Sequence, residues 1–145
     1  MTNNMDYEII PYVALGDIKF GLLRKEIEQI AGSPTKTFKR NEFAASPTDM
    51  YESLGIMIDY DETGRCEAVE TWDAVDVKLM GKSLLSSTYS EILSWFLATD
   101  KNIEEDDVGF TSYKYGIGLY APYKEEEPNK PCKGVLAFKR GYFDE

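Results

Sequence analysis

Residues 51–72 read YESLGIMIDYDETGRCEAVETW, and residues 112–140 read SYKYGIGLYAPYKEEEPNKPCKGVLAFKR. Both run from an aromatic or polar lead-in through Gly-Ile into an alternating segment. A polar turn, a cysteine and a valine three residues beyond it follow. In the first copy Ile56, Ile58 and Tyr60 alternate with Met57, Asp59 and Asp61, the period of a half-buried strand. Asp61-Glu62-Thr63-Gly64 is a tight turn, with Gly64 free to take positive φ. Residues 65–72 return as a second strand. Cys66 and Val69 are three apart, so the buried parity switches between them, which a β-bulge or a change of burial along the strand would reconcile. In the second copy Ile117, Leu119 and Ala121 share one face, Gly118 and Tyr120 the other. A longer loop, 122–131, precedes the closing strand at 132–138.

Working outward, each copy is preceded by a helix. Leu23, Ile27, Ile30 and Ala31 form one apolar stripe, ended by Gly32 and Pro34. Tyr89, Ile92, Leu93, Phe96 and Leu97 form another, behind Thr88 and Glu91 in capping-box spacing. Residues 36–49 are polar and hold either one short strand near Thr37-Phe38 or a loop. Val77 and Leu79 mark a short strand, and the acidic run 104–107 interrupts the second half. Glu26-Ile27 returns as Glu91-Ile92, Gly55-Ile56 as Gly116-Ile117 and Cys66 as Cys132, offsets of about 61 to 66 residues that mark a duplicated unit. The expected fold is α+β: a duplicated helix plus antiparallel β-meander, with one continuous sheet and two helices on one face. The chain, 1–145, reads as a single domain of two repeats, about 15–75 and 76–143. The sheet face opposite the helices is then exposed, or used.

Composition narrows the function. A chain of 145 residues buries roughly 70% of its unfolded surface, enough for a core. The 43% hydrophobic and 13% aromatic content argues against disorder. No apolar run reaches the roughly 20 residues of a membrane helix, and MTNNMDYEIIPYVALG has neither the basic start nor the apolar core of a signal peptide. The expected location is the cytosol, where Cys66 and Cys132 read as free core thiols rather than a bridge. With 26 acids against 16 bases the net charge is −10, which disfavours nucleic acid and suits a basic partner or simple solubility. Histidine is absent. That removes the commonest general base and the Ser-His and Cys-His pairs. An enzyme, a metal and a cofactor are therefore not expected.

Phe20-Gly21, Glu26-Ile27, Gly32-Ser33-Pro34 and the turn residues Asp61, Gly64, Arg65 and Cys66 form a unit that resembles the repeats of beta-lactamase inhibitory protein and the small outer-membrane lipoprotein A domain. Leu23 stands where that pattern usually has Ser or Thr. The whole chain, with GIGLYAP in its second half, is similar to the immunity proteins, or antitoxins, of bacterial polymorphic toxins. That resemblance implies a cytosolic protein that binds a cognate toxin C-terminal domain, for instance a nuclease of the LXG type, and blocks it. The alternative is a small-ligand or peptide-binding module using the open sheet face.

Candidate binding residues follow from charge and aromaticity. Asp59, Asp61 and Glu70, with Glu67, Asp73 and Asp76 nearby, form an acidic set that reads as a solvated face, a partner surface or a cation site. The run Glu104, Glu105, Asp106 and Asp107 reads as a solvated loop or as a lure for a basic partner. Tyr113, Tyr115, Tyr120 and Tyr123 cluster in sequence. Tyrosine and tryptophan bury interface area at low entropy cost, so Trp72 and Tyr120 join the set, or serve only to pack the sheet. Tyr120 is expected to lie beside Asp59 and Met57.

Overall fold

The computed structural model describes residues 6–72 and 75–143. Strands β1 (Glu8–Ile10), β2 (Ala14–Leu15) and β3 (Ile18–Lys19) lead into helix α1 (Arg24–Ala31). A meander follows: β4 (Lys36–Phe38), β5 (Thr48–Tyr51), β6 (Ile56–Tyr60) and β7 (Cys66–Trp72). The second repeat opens on the hairpin β8 (Lys78–Leu79) and β9 (Lys82–Ser83) and continues through α2 (Tyr89–Leu97). Its meander is β10 (Glu104–Asp106), β11 (Gly109–Ser112), β12 (Ile117–Tyr120) and β13 (Gly134–Phe138).

The two meanders fuse into an eight-stranded sheet of order β10-β11-β12-β13-β7-β6-β5-β4. The seam is the antiparallel pair β13·β7, where Gly134 faces Trp72, Leu136 faces Glu70 and Phe138 faces Ala68. Ala68 and Gly134 are equivalent positions of the repeats, as are Glu70 and Leu136, and Trp72 and Phe138. The seam is thus a local two-fold axis through the Glu70–Leu136 pair. Register repeats about it: Lys36 faces Met50 and Phe38 faces Thr48, as Glu104 faces Thr111 and Asp106 faces Gly109.

One expectation needs correction. The sheet is not single, because a second, five-stranded sheet has the order β3-β2-β1-β8-β9. The hairpins β2–β3 and β8–β9 precede the two helices at equivalent places, and both pair with β1, β2 antiparallel and β8 parallel. Of its strands only β8 was expected, from Val77 and Leu79; the others, two or three residues long, are too short to show a period. The sheet's buried members, Leu15 and Leu79, join the same hydrophobic core as both helices and the large sheet.

Both helices lie on one face of the large sheet. Cross-strand partners share a face, which places Asp49, Ile58, Val69, Ala137, Ile117 and Phe110 together. On this face Arg24 of α1 donates to Asp49 at 2.8 Å and lies over the Tyr60 ring. At the equivalent place on α2, the Tyr89 ring packs on Phe110. An ion pair in one repeat thus occupies the place of an aromatic pair in the other. The Asp49 side chain is fully buried and also accepts the Thr37 hydroxyl. The apolar stripe of α1 is narrower than its sequence suggests. Ile27 is fully buried, while Leu23 and Ile30 are 39% and 47% exposed, since Arg24 takes part of the contact. On α2, Tyr89, Ile92 and Phe96 are buried.

Backbone bonds at Cys66 and just before Cys132 anchor the helix starts. Cys66 exchanges backbone bonds with Gly21 and Leu22, and the Tyr89 N–H donates to Lys130, two residues before Cys132. Both thiols are buried and free, and burial pushes each up to about 12, so neither is a thiolate at neutral pH. They fall at opposite ends of the β7·β13 seam, roughly 25 Å apart at about 3.3 Å per residue, so no bridge is possible. The parity switch after Cys66 is a bulge: Asp59 faces Ala68 and Tyr60 faces Cys66, leaving Glu67 unpaired.

Helix α2 has a full capping box, with Thr88 and Glu91 each accepting the other's N–H. In α1 only Glu26 contributes, accepting the Leu23 N–H at 2.9 Å, because leucine has no acceptor to return. Leu23→Thr is therefore expected to stabilise the protein by about 0.5–2 kcal/mol. A thermal melt checks this, and an unchanged or lower Tm would show that the apolar contacts of Leu23 outweigh a cap.

Candidate functional site

Register also defines the face turned away from the helices. Its central row runs Glu104, Thr111, Gly118, Leu136, Glu70, Met57, Met50 and Lys36. A flanking row in the second repeat holds Asp106, Tyr120 and Trp72, with Gly134 between the two aromatics. The flanking row in the first repeat holds Thr48, Asp59, Ala68 and Phe138.

The two halves are finished differently. In the first repeat the β4–β5 connection, 39–47, folds across the face. Its Arg40 donates to Asp59 at 2.9 Å and to Glu70 at 3.1 Å. Asp59 is nearly buried and also takes the Thr48 hydroxyl at 2.6 Å. The segment after β13 covers the rest of this half, with Tyr142 and Phe143 packed against Phe138. The equivalent β10–β11 connection is only Asp107 and Val108. Among the described residues, no loop crosses the second half.

Asp61 sits at the rim of the covered half. Its carboxylate accepts the Thr63 N–H and hydroxyl, the Arg65 N–H, and the Lys139 ammonium at 2.8 Å. Burial opposes ionisation, but the Lys139 and Thr63 bonds prevail and hold the carboxyl well below its usual range. Glu67, the bulged residue, moves the other way: burial raises it against Lys139, helped by Asp61 and Asp59. Asp59 and Asp61 are thus tied into structural networks. Glu70 is shared, since it takes Arg40 on one side and borders the bare half on the other.

The run 104–107 is not a loop, as the sequence suggested. Glu104–Asp106 form the edge strand β10, because β11 supplies a partner for a segment of poor strand propensity. Glu105 turns to the helix side and accepts Tyr89 Oη at 2.7 Å and Lys124 Nζ at 3.1 Å. Glu104 and Asp106 turn outward. Asp107 lies in the turn that follows.

Tyr120 does point away from the helices and is 48% exposed. It is not beside Asp59 and Met57, because β13 and β7 intervene. Its neighbours are Gly134 and, beyond it, Trp72. The tyrosine cluster also disperses. Tyr115 is buried against Phe96, Tyr113 joins Phe138 and Phe143, and Tyr123 lies on the loop after β12. Between Asp106, Tyr120, Leu136 and Glu70 the bare half forms a shallow trough of about 250 Å³ floored by Gly118 and Gly134. Gly118, Leu136 and Arg40 escaped the sequence reading. The available signal was the pairing of Gly118 with Met57 between copies.

Among the described residues, no group of three or more potential ligands could hold a metal; Asp73 lies outside them. No described helix is long and apolar enough to cross a membrane. No protein-family model, curated protein or solved structure matches the chain.

The Asp61 network has a pH signature. A depressed folded pKa contributes stability that is present above the unfolded value, near 3.9, and lost as pH falls below it. Asp61→Asn is expected to cost about 1–2 kcal/mol at pH 7, with the gap to wild type narrowing toward pH 3. Urea unfolding at both pH values measures it. An equal gap at both would remove the carboxylate charge from the explanation.

Proposed function

We propose that the protein is a cytosolic immunity protein that binds a cognate toxin domain, for instance a nuclease of the LXG type, and blocks it sterically and electrostatically. The observation that carries this reading is the bare half of the outer sheet face. There Tyr120 is exposed and Trp72 and Leu136 are half-buried, on the same face as Glu70, Glu104 and Asp106. Aromatic anchors inside a rim of one charge are the make-up of a protein interface with a basic partner. A net charge of −10 would steer such a partner inward and speed association. No chemical step and no cofactor is needed. The trough itself favours a second reading, a peptide-binding module on the same face.

The deciding experiment is co-expression with the product of the neighbouring reading frame. Toxicity of that product alone, relieved by this protein, is the expected result; a harmless neighbour, or no rescue, refutes the reading. A double charge reversal, Asp106→Lys with Asp107→Lys, is expected to slow association about tenfold at low ionic strength. The effect should fall below about twofold at 1 M salt, where the Debye length is about 3 Å. Association rates unchanged at both salt concentrations would take this edge out of the interface.

A further inference from the structure

The local two-fold axis makes the halves of the outer face comparable position by position, and only one is filled. The filled half shows what this surface holds: a connection carrying Arg40, whose guanidinium lies between Asp59 and Glu70. The bare half offers Glu70 again, from the axis, and Asp106 across the trough. Tyr120 replaces Asp59 there, Leu136 replaces Glu70 and Gly118 replaces Met57, so the carboxylates of this half stand at its ends rather than at the place of the Arg40 site.

The glycines in the strands of this half are not alike. A Cβ at Gly134 would lie 2.9 Å from the Thr71 carbonyl oxygen, and one at Gly109 would lie 1.8 Å from that of Leu119. Those two are required by the backbone. A Cβ at Gly118 would meet nothing closer than Leu136 Cβ at 3.8 Å, an ordinary contact. The fold has room for a side chain at 118, so its absence leaves the trough open. Glycine within a strand marks a place where another chain can approach closely.

We infer that the bare half binds a basic loop of a partner protein, with basic side chains meeting the carboxylates at the two ends of the trough, Glu70 and Asp106, which lie four strands apart, and an apolar side chain between them over Gly118. This rests on reading the outer face as the partner surface, and it names the element that the partner presents.

The probe is a capped peptide of this chain's own residues 37–47, TFKRNEFAASP, titrated into ¹⁵N-labelled protein. Backbone amides of Thr111, Gly118, Tyr120 and Leu136 should shift in a saturable way. The peptide with Lys39→Glu and Arg40→Glu should bind at least about tenfold more weakly. Gly118→Met, which installs the residue of the other repeat, and separately Asp106→Lys on the exposed edge, should each weaken binding at least about fivefold with an unchanged Tm. Shifts confined to another surface, equal binding of both peptides, or wild-type affinity in a folded variant would overturn the inference. So would concentration-dependent shifts at these amides in the protein alone, which would assign the trough to a second copy of the chain. Peptide binding without neutralisation of the neighbouring gene product would defeat the immunity reading alone. Wild-type neutralisation by Gly118→Met would defeat the loop site alone.

Discussion

Everything in this molecule depends on the seam between β7 and β13. One repeat alone would present a four-stranded sheet with an unpaired last strand and a single short helix over its apolar face. Pairing the last strands satisfies both edges at once and brings the apolar faces into one continuous layer. Ile58 and Val69 from one repeat then meet Ala137 and Ile117 from the other. Because the paired strands are equivalent in sequence, the seam imposes two-fold symmetry on a single chain. That symmetry puts both helices on the same side and leaves the other side without a helical cover.

Within this frame, equivalent positions are filled by unlike chemistry wherever packing permits. Arg24 and Asp49 do by charge and hydrogen bonds what Tyr89 and Phe110 do by ring contact. Burying Asp49 is tolerable because Arg24 and Thr37 both donate to it; a lone buried carboxylate would not be. At the outer edges Lys36 stands where Glu104 stands, and on the face Met57 stands where Gly118 stands. The positions that stay alike, Cys66 with Cys132 and Gly55 with Gly116, are buried or hold a positive φ. The copies diverge where solvent or a partner is the neighbour.

This explains what the sequence could show. The Gly-Ile strands, their hairpins and the second capping box were legible because alternation, turn residues and capping spacing are local signals. The bulge at Glu67 was legible as a parity conflict. Strand β5 was not, since its buried Thr48 and Asp49 read as polar and are reconciled only by partners on other segments, Asp59 for Thr48 and Arg24 with Thr37 for Asp49. Strand β10 was hidden behind three carboxylates, and the small sheet, apart from β8, behind strands too short to show a period. The candidate carboxylates divided on similar grounds. Asp59, Asp61 and Glu105 are engaged by cations or hydroxyls remote in sequence, which no local pattern displays. Glu70, Trp72, Asp106 and Tyr120 converge on one face because the seam brings them there.

The seam also sets an order on folding. Trp72 and Gly134 are partners across roughly sixty residues of chain, so a growing polypeptide finishes its first meander long before the closing strand is made. Until then β7 is a bare edge, apolar on its inner side through Val69, and open to pairing with the same strand of another nascent chain. Two copies of β7 meeting antiparallel about the same axis would set Glu70 directly against Glu70. Like charges opposite one another disfavour that pairing, whereas β13 supplies Leu136 at the same point. A carboxylate on the axis thus favours the unlike strand over its own copy, apart from anything it does on the finished surface.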